Sequence, residues 1–424
     1  MSRRRRKYKK ASTGRNKKIK TALLVAEIII ILVLAFAAAM VLIPNAKLKL
    51  ISSMTSSAPG RALISFFIGS DYEKYLQDAN FNSDNVDKND NLNIGEEYTN
   101  IALFGSDSRG SDLTSGAHFD STIIVSMNNK TGEVKMVSVY RDTVLEFVAD
   151  GDVYYDKATN ANAYGNTETV LNMLNANLDL DITDYAVVNF AGLANVIDAL
   201  GGMDVTITKD EMQWINNYLG ETREVTGMTT LNVTKSGAVH LTGLQATAYS
   251  RIRQVAFYNE DGTSVNNDYG RTARQRLVLM NIFQKAKSAG ASEMLQIANA
   301  LFKKNSGDDK FLVTSMDLNE ILKLIPTAIK FNITGTTGFP TELTSGTFYN
   351  PVVYRNGKQM SLYNKAPSCV FVKGLERNVT QLHEFLFGTT DYVPTKNVQE
   401  INDILITLTG VEPETNAETE SSAN

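Results

Sequence analysis

Cysteine and histidine are scarce in this sequence. Cys369 is the single cysteine among 424 residues, so no intramolecular disulfide can form, and the three histidines, His118, His240 and His383, lie far apart. Zinc sites need thiolates and imidazoles at short spacing, so the sequence argues against one. The cysteine lies in an apolar run, which predicts a small buried side chain. This composition fits a cell-surface chain that does not depend on oxidative folding.

Acidic residues are missing from the N-terminus. Residues 1–20 hold eleven lysines and arginines and no acid, whereas residues 44–424 hold 31 basic and 45 acidic residues, a net charge of −14. The 23 residues between them, 21–43, are almost all apolar and carry a single charge, on Glu27. Such a segment can cross about 30 Å of hydrocarbon as a helix, and basic flanks stay in the cytoplasm. We therefore predict a cytoplasmic tail at 1–20, one transmembrane helix at 21–43 and an extracellular remainder anchored in the cell membrane.

A cleaved signal peptide is the alternative interpretation of the apolar segment. The alanines at 37–39 resemble a cleavage site. The run is longer than the roughly 7–15 apolar residues of a signal peptide, which favours an uncleaved anchor. Membrane topology already explains the basic tail, so we expect no nucleic-acid partner.

Strands and helices alternate after a polar connector. Short apolar strands come first and helices then separate them, which predicts an α/β fold with a mixed central sheet sandwiched between helices. The predicted strands are 100–105, 122–127, 134–139, 185–188 and 203–207, and the predicted helices are 167–177 and 191–200.

Composition divides the extracellular part into four regions. Residues 44–93 are rich in Ser, Asn and Asp and predict a linker with a small accessory segment. The main domain is expected at 94–290. Residues 291–411, helical at 291–334, either complete this domain or form a small accessory region. The acidic tail at 412–424 is expected to be disordered.

Arginines concentrate in the stretch 250–275, which ends on the first turn of a predicted helix. Two of them are two residues apart and point the same way in an extended segment. The other two and a glutamine are spaced i, i+3, i+4, which groups them on one helical face above an apolar stripe. These residues are Arg251, Arg253, Arg271, Arg274 and Gln275.

Two interpretations of this cluster stay open. Arginines around a helix N-terminus suit a phosphate or pyrophosphate, through aligned N–H groups and forked donors. Alternatively, the arginines form a structural ion-pair network with the carboxylates of Asp261 and Asp268.

Charged residues also collect at the ends of predicted strands, where α/β sheets usually bind ligands. Asp107 and Arg109 follow the first strand, Asp120 precedes the second, and Arg141 follows the third. The carboxylates of Asp107 and Asp120 are suited to a Mg²⁺ ion that is completed by water and substrate phosphates. Alternatively, Asp107 and Asp142 are loop and cap residues that accept hydrogen bonds from nearby backbone N–H groups.

Six sequence blocks cover about residues 100–285 in a fixed order. They are NIALFGSDSRG, FDSTIIVSMNNKTGEVKMVSVYRDT, NANAYGN, DYAVVNFAGLANVIDALGGMDV, HLTGLQATAYSRIR and DYGRTARQ. In sequence and order they resemble the LytR-CpsA-Psr family of membrane-anchored cell-wall glycopolymer ligases, and the single N-terminal span is similar as well.

The resemblance implies a domain whose apolar tunnel takes a polyprenyl chain, with the pyrophosphate held at its mouth by arginines and by Mg²⁺ or Mn²⁺. In the pattern of the family, Asp107 and Asp120 are associated with the metal, and Asp268 orients the phosphates or takes part in proton transfer. The implied catalytic residues are Asp268, Arg141 and Arg271, and the implied pyrophosphate ligands are Arg109, Arg141, Arg251, Arg253, Arg271, Arg274 and Gln275.

Two features depart from the family pattern. His118 stands where the family usually has an arginine, two residues before the second aspartate. The loop between Arg253 and Asp268 is longer than expected, so Asp261 competes with Asp268 for the role of the family's aspartate.

The activity that the resemblance implies is transfer of a glycan phosphate from a polyprenyl-pyrophosphate carrier to a sugar hydroxyl of peptidoglycan. The hydroxyl attacks the phosphorus next to the sugar, and lipid phosphate leaves. Two alternatives are a hydrolase that uses water at the same site and a non-enzymatic, lipid-binding envelope regulator. Apolarity predicts that segments 187–200 and 277–283 line the tunnel.

Overall fold

The computed structural model covers most of the main domain and the C-terminal region. It describes residues 57–59, 61–62, 76–78, 80–89, 97–106, 112–114, 116–259, 261–288, 310–317, 320–321 and 331–413. The predicted transmembrane segment at 21–43, most of the predicted linker and most of the acidic tail lie outside the described residues. Within those residues, no helix combines the length and apolarity needed to span a membrane.

Strands and helices follow one another along the described chain. The strands are β1 Tyr98–Ser106, β2 Phe119–Asn128, β3 Glu133–Val139, β4 Val144–Ala149, β5 Asp152–Lys157, β6 Asp184–Val188, β7 Met203–Ile207, β8 Gly237–Leu241, β9 Phe257–Tyr258, β10 Ser264–Val265, β11 Leu312–Thr314, β12 Asn332–Phe339, β13 Leu343–Tyr349, β14 Val352–Arg355, β15 Lys358–Ser361 and β16 Lys365–Val372. The α-helices are α1 Ala161–Tyr164, α2 Thr167–Leu178, α3 Phe190–Ala199, α4 Lys209–Thr226, α5 Gly243–Tyr249, α6 Asn267–Ser288, α7 Leu375–Phe387 and α8 Lys396–Thr409.

The central sheet has the strand order β11-β6-β1-β2-β3-β12. Strands β1, β2 and β3 are antiparallel neighbours, whereas β6 runs parallel to β1 and β12 runs parallel to β3. The predicted mixed sheet is therefore confirmed. Its middle strands are apolar on both faces, as expected for strands that helices cover on both sides.

Helices cover the two faces of this sheet. On one face, α2, α7, α8 and the β4–β5 hairpin share a core with Phe104 and Ile124. On the other face, α6 packs Leu279 and Phe283 over the strands around Ile123. The predicted arrangement of a sheet between helices is thus confirmed.

A second core joins α3, α4, α5 and the β7–β8 ribbon beside the sheet. Two glycines allow α3 to lie close to the segment before β11 and to α5. A Cβ on Gly192 would lie 2.1 Å from the carbonyl oxygen of Phe311, and a Cβ on Gly243 would lie 2.0 Å from that of Ala194. These close approaches fix α3 and α5 relative to the sheet.

Two segments fold differently from the sequence prediction. Within 291–334, the described residues 312–314 and 332–334 form strands rather than helix, because β11 pairs with β6 and β12 begins its pairing with β3 at Asn332, whereas residues 320–321 are helical. The strand at 203–207 is present, but it pairs with β8 outside the central sheet. In both cases pairing with a distant strand decides the structure, which local propensity does not report. Within residues 331–413, β12 extends the central sheet, and Leu375 and Leu405 share its core.

Candidate functional site

An apolar pocket of about 400 Å³ lies between the central sheet and the helices α3 and α6. Strands β1, β2 and β6 form one wall. Helix α3 begins directly after β6, where the side chain of Asn189 accepts a hydrogen bond from the backbone N–H of Gly192 at 2.9 Å. Both segments predicted to line the tunnel contribute. Apolar lining residues include Leu103, Ile123, Val188, Leu193, Leu279 and Ile282.

Five polar residues of the same pocket form what we call the pocket mouth. They come from β2, from the segment after α5, and from the first turns of α6. Beside it, Ser121 also lines the pocket, and its hydroxyl donates to Oε1 of Gln275 at 3.0 Å, which links β2 to α6. The pocket mouth comprises Asp120, Arg251, Arg253, Arg271 and Gln275.

Asp268 joins two arginines of the pocket mouth. Its Oδ2 accepts a 3.0 Å hydrogen bond from Nη2 of Arg271, and its Oδ1 lies 3.3 Å from Nε of Arg253. Nη2 of Arg271 also donates to the backbone carbonyl of Asp120 at 3.0 Å. Burial lowers the pKa of Arg271 to about 10, although the charge of Asp268 opposes the shift. Arg271 is therefore a buried guanidinium that stays cationic at neutral pH.

Arg141 and Asp120 form the neighbouring ion pair. Nη1 of Arg141 lies 2.5 Å from Oδ1 of Asp120. Burial lowers the pKa of Arg141, but the carboxylates of Asp120 and Asp268 outweigh burial, so the pKa is raised. Nδ1 of His118 lies 3.3 Å from the backbone carbonyl of Thr159, and the His118 side chain does not line the pocket.

Arg251 is held in place by α4, a helix that no sequence motif connected with the site. Its Nη1 donates to Oγ1 of Thr222 at 2.9 Å, and its Nη2 lies 2.8 Å from a carboxylate oxygen of Glu221. The guanidinium carbon also lies 4.6 Å and 5.1 Å from the ring centroids of Phe190 and Tyr218. Stacking and ion pairing together fix the plane of the guanidinium at the pocket wall.

The structure corrects the predicted role of Arg274 as a pyrophosphate ligand. Its side chain is fully buried and does not line the pocket. Nε and Nη2 donate to Oε1 of Glu211 at 3.2 and 2.8 Å, and Nη2 also donates to the carbonyl of Ala256. The rings of Tyr249 and Phe257 enclose the guanidinium, with centroids 5.7 and 5.6 Å away. Arg274 is therefore a structural residue that ties α6 to α4 and to the β9–β10 hairpin.

The remaining predicted residues divide into two groups. Asp107 and Arg109 lie outside the described residues. Asp261 is exposed in the turn of the β9–β10 hairpin, where it accepts hydrogen bonds from the backbone N–H and hydroxyl of Thr263 at 2.9 and 2.6 Å. The expectation that Asp261 competes for the aspartate role is wrong in geometry, because Asp268 is the carboxylate paired with the arginines.

Among the described residues, the pocket mouth itself holds three arginines and one carboxylate. Arg141, Arg253 and Arg271 face the carboxylates of Asp120 and Asp268. Nε of Arg271 is buried and has no hydrogen-bond partner within that part of the chain. The N-terminus of α6 adds backbone N–H groups and the positive end of the helix dipole. This end of the pocket is therefore suited to an anion.

An apolar pocket that ends in a cationic mouth defines an α/β protein suited to an amphipathic anion. The hydrocarbon part of such a ligand fits between the sheet and the helices, and its anionic group fits at the start of α6. The chain belongs to the LytR_cpsA_psr family, whose model matches residues 67–345. This match confirms the family that the six sequence blocks indicated.

Curated relatives and solved structures are similar to this chain. A Bacillus cereus (strain AH820) protein named polyisoprenyl-teichoic acid–peptidoglycan teichoic acid transferase TagU is 30% identical over 242 residues, which cover 55% of this chain and 70% of that protein. A TagU of Enterococcus faecalis is 31% identical over 198 residues, which cover 47% and 56%. Bacillus subtilis TagT aligns with a TM-score of 0.43 at 20% identity over 76% of this chain and 94% of that chain. Protein gbs0355 of Streptococcus agalactiae aligns at 0.49 and 21% identity over 71% and 90%.

Proposed function

We propose that this chain is a membrane-anchored extracellular phosphotransferase that attaches a glycopolymer from a polyprenyl-pyrophosphate carrier to peptidoglycan through a phosphodiester link. The observation that carries the proposal is the continuity of the apolar pocket with the pocket mouth. A hydrocarbon chain with an anionic head matches both parts. The family membership and the name of the Bacillus cereus relative, a teichoic acid transferase, support the same reaction class.

In this proposal each charged residue has a distinct task. Arg253 and Arg271 bind the pyrophosphate as charge-assisted donors, and the stacked Arg251 holds it at the pocket wall. Arg141 adds positive charge beside Asp120. Asp268 orients the forks of both neighbouring arginines, which makes it a positioning residue. Gln275, held by Ser121, offers its amide N–H₂ to a phosphate oxygen.

The reaction is a displacement at phosphorus. A peptidoglycan sugar hydroxyl attacks the phosphorus that carries the glycan, the bond to the bridging oxygen breaks, and polyprenyl phosphate leaves. The proton of the hydroxyl is lost to a base or to the departing phosphate. Most of the catalysis comes from positioning and from neutralising charge on the phosphates, which the arginines supply.

We include Mg²⁺ or Mn²⁺ at Asp107 and Asp120 in the proposal. Asp120 lies in the pocket mouth, where Nη1 of Arg141 pairs with its Oδ1. A carboxylate in this position suits an ion that takes one or two carboxylates and completes its shell with phosphate and water. When bound, the ion would supply further charge neutralisation at the pyrophosphate. The apolar segment at 21–43 would keep this site beside the membrane that contains the carrier.

Reconstitution tests the proposal. The full-length chain is incubated with a synthetic polyprenyl-pyrophosphate oligosaccharide, Mg²⁺ and peptidoglycan fragments, and the products are analysed by mass spectrometry. We expect a phosphodiester-linked glycan that is lost in Arg271→Ala and retained in Arg223→Ala, a control on α4 whose guanidinium bonds the carbonyl of Thr230 at 2.9 Å. Tight lipid binding without a covalent product would instead support a regulator, and acceptor-independent cleavage would support a hydrolase.

A further inference from the structure

A second cavity, of about 370 Å³, lies between the β13–β15 strands and the C-terminal half of α8. It is separate from the apolar pocket and shares none of its lining residues. Among the residues that the structure describes, those lining the cavity include no acid, lysine or arginine, and α8 adds two aliphatic side chains. Its aromatic and polar lining residues are Tyr349, Tyr354, Asn350, Gln359 and Thr407.

The cavity is built on fixed side chains. The ring of Tyr354 meets the buried ring of Tyr155 edge to face, at 6.0 Å and 82°, and its hydroxyl donates to Oε1 of Gln359 at 3.2 Å. This bond leaves the amide N–H₂ of Gln359 as a donor toward a ligand. Thr407 donates its hydroxyl to the carbonyl of Asp403 at 2.8 Å, so its oxygen remains an acceptor.

This set of groups matches the surface of an uncharged sugar. Tyrosine rings carry a negative face that attracts the weakly positive C–H groups of a pyranose, and Tyr349 is 68% exposed. The amides of Asn350 and Gln359 and the hydroxyl of Thr407 supply donors and acceptors for sugar hydroxyl and acetamido groups. Because the described lining has no charged side chain, it offers no direct counterion to phosphate or carboxylate.

One strand connects this cavity to the proposed reaction site. The hydroxyls of Ser345 on β13 and Tyr269 on α6 are 3.0 Å apart, and Tyr269 follows Asp268 in the chain. Ser345 and Tyr349 are both exposed on β13, whereas Phe348 is buried. Four strand residues span about 13 Å at roughly 3.3 Å per residue, a distance that an oligosaccharide bridges.

We propose that this cavity is a glycan-binding subsite that holds an uncharged stretch of sugar while the reaction takes place at the pocket mouth. The inference rests on the proposed phosphotransferase function for its role, and on the cavity alone for its binding. The glycan has two sources with the same chemistry, the peptidoglycan acceptor strand and the sugar chain of the carrier.

Direct binding tests the subsite. The full-length chain is titrated with chitotetraose, an uncharged tetramer of N-acetylglucosamine, by calorimetry or ligand-observed NMR. We expect binding that Tyr349→Ala and Gln359→Ala each weaken, the former about tenfold. As a control, Tyr258→Ala removes a tyrosine of the β9–β10 hairpin that is also 68% exposed, and it should leave chitotetraose binding unchanged. Absence of binding to the unaltered chain, or equal loss in Tyr258→Ala, overturns the proposal.

Two further measurements separate this inference from the proposed function and identify the glycan. Arg271→Ala alters the pocket mouth and not the second cavity, so it is expected to lose transfer while chitotetraose still binds. In the reconstituted reaction, Tyr349→Ala raises the KM for peptidoglycan if the acceptor strand occupies the cavity, and raises the KM for the donor if the carrier's glycan does. If Tyr349→Ala changes neither the KM for peptidoglycan nor the KM for the donor, a role of the cavity in the reaction is refuted.

Discussion

The buried pair of Arg274 and Glu211 gives the sharpest stability prediction. Arg274 is 0% exposed, and the Glu211 side chain is 8% exposed. Glu211→Ala leaves the guanidinium in the core without its counterion, which costs about 3–5 kcal/mol. Oε2 of Glu211 also accepts a 2.9 Å hydrogen bond from the backbone N–H of Thr208 at the start of α4, and losing it costs about 1 kcal/mol more. We expect a fall in Tm of roughly 10 °C.

Urea unfolding followed by circular dichroism measures this loss in the free energy of unfolding. Two variants separate the contribution of the capping hydrogen bond from that of the ion pair. Thr208→Ala removes the other half of the capping box and should cost only about 1 kcal/mol. The double variant Glu211→Leu, Arg274→Met replaces the ion pair by apolar groups and should recover most of the stability. The double variant should also bind inorganic pyrophosphate normally, whereas Arg271→Ala should not. A stable double variant that has lost pyrophosphate binding would refute the structural role of Arg274.

Three further predictions concern the pocket. Ala186→Phe fills the pocket lining and should weaken binding of a polyprenyl phosphate without changing binding of inorganic pyrophosphate. Ala238→Phe, at an exposed position of β8, should change neither, and equal effects of the two variants would mean that the pocket does not hold the lipid. Asp268→Asn removes the negative charge that pairs with Arg253 and Arg271, so pyrophosphate binding should be retained. Transfer should nevertheless fall roughly a hundredfold, because the arginines lose the group that orients them. Unchanged transfer would refute the positioning role of Asp268. Because the pKa of Arg271 is lowered to about 10, pyrophosphate binding measured by calorimetry should not weaken from about pH 7 to 9 and should fall above about pH 10 as the cation deprotonates. A fall in binding that begins near neutral pH would contradict this assignment.

The sequence predicted the middle of the sheet because its strands are continuous apolar runs. Strands at 122–127 and 134–139 lie within β2 and β3, and the helix at 191–200 overlaps α3. The pairing of β12 was not predictable, since Asn332–Phe339 contains two glycines and weak alternation and takes its conformation from β3. Edge strands that pair across long sequence separations leave no local signal.

The site was predicted in part for a similar reason. Spacing of i, i+3, i+4 predicted that Arg271, Arg274 and Gln275 share one helical face. Around the helix axis, however, Arg271 and Gln275 are about 40° apart, whereas Arg274 lies about 100° from Gln275. That rotation turns Arg274 away from the pocket and toward Glu211, which is 63 residues earlier in the chain. Similarly, Glu221 and Thr222 reach Arg251 only through the packing of α4 against α5. Local spacing identifies a helical face, and tertiary packing decides which residues on it meet the ligand.

The fate of the attacking oxygen tests the central claim most directly. The full-length chain reacts with lipid-linked oligosaccharide and peptidoglycan fragments in water labelled with heavy oxygen, and mass spectrometry follows the label in the phosphorylated products. If a sugar hydroxyl attacks the phosphorus at the pocket mouth, the glycan is recovered as a phosphodiester on peptidoglycan without heavy oxygen. Recovery of free glycan phosphate or lipid phosphate that carries the label, with no glycan on peptidoglycan, would show that water is the nucleophile and would contradict transfer.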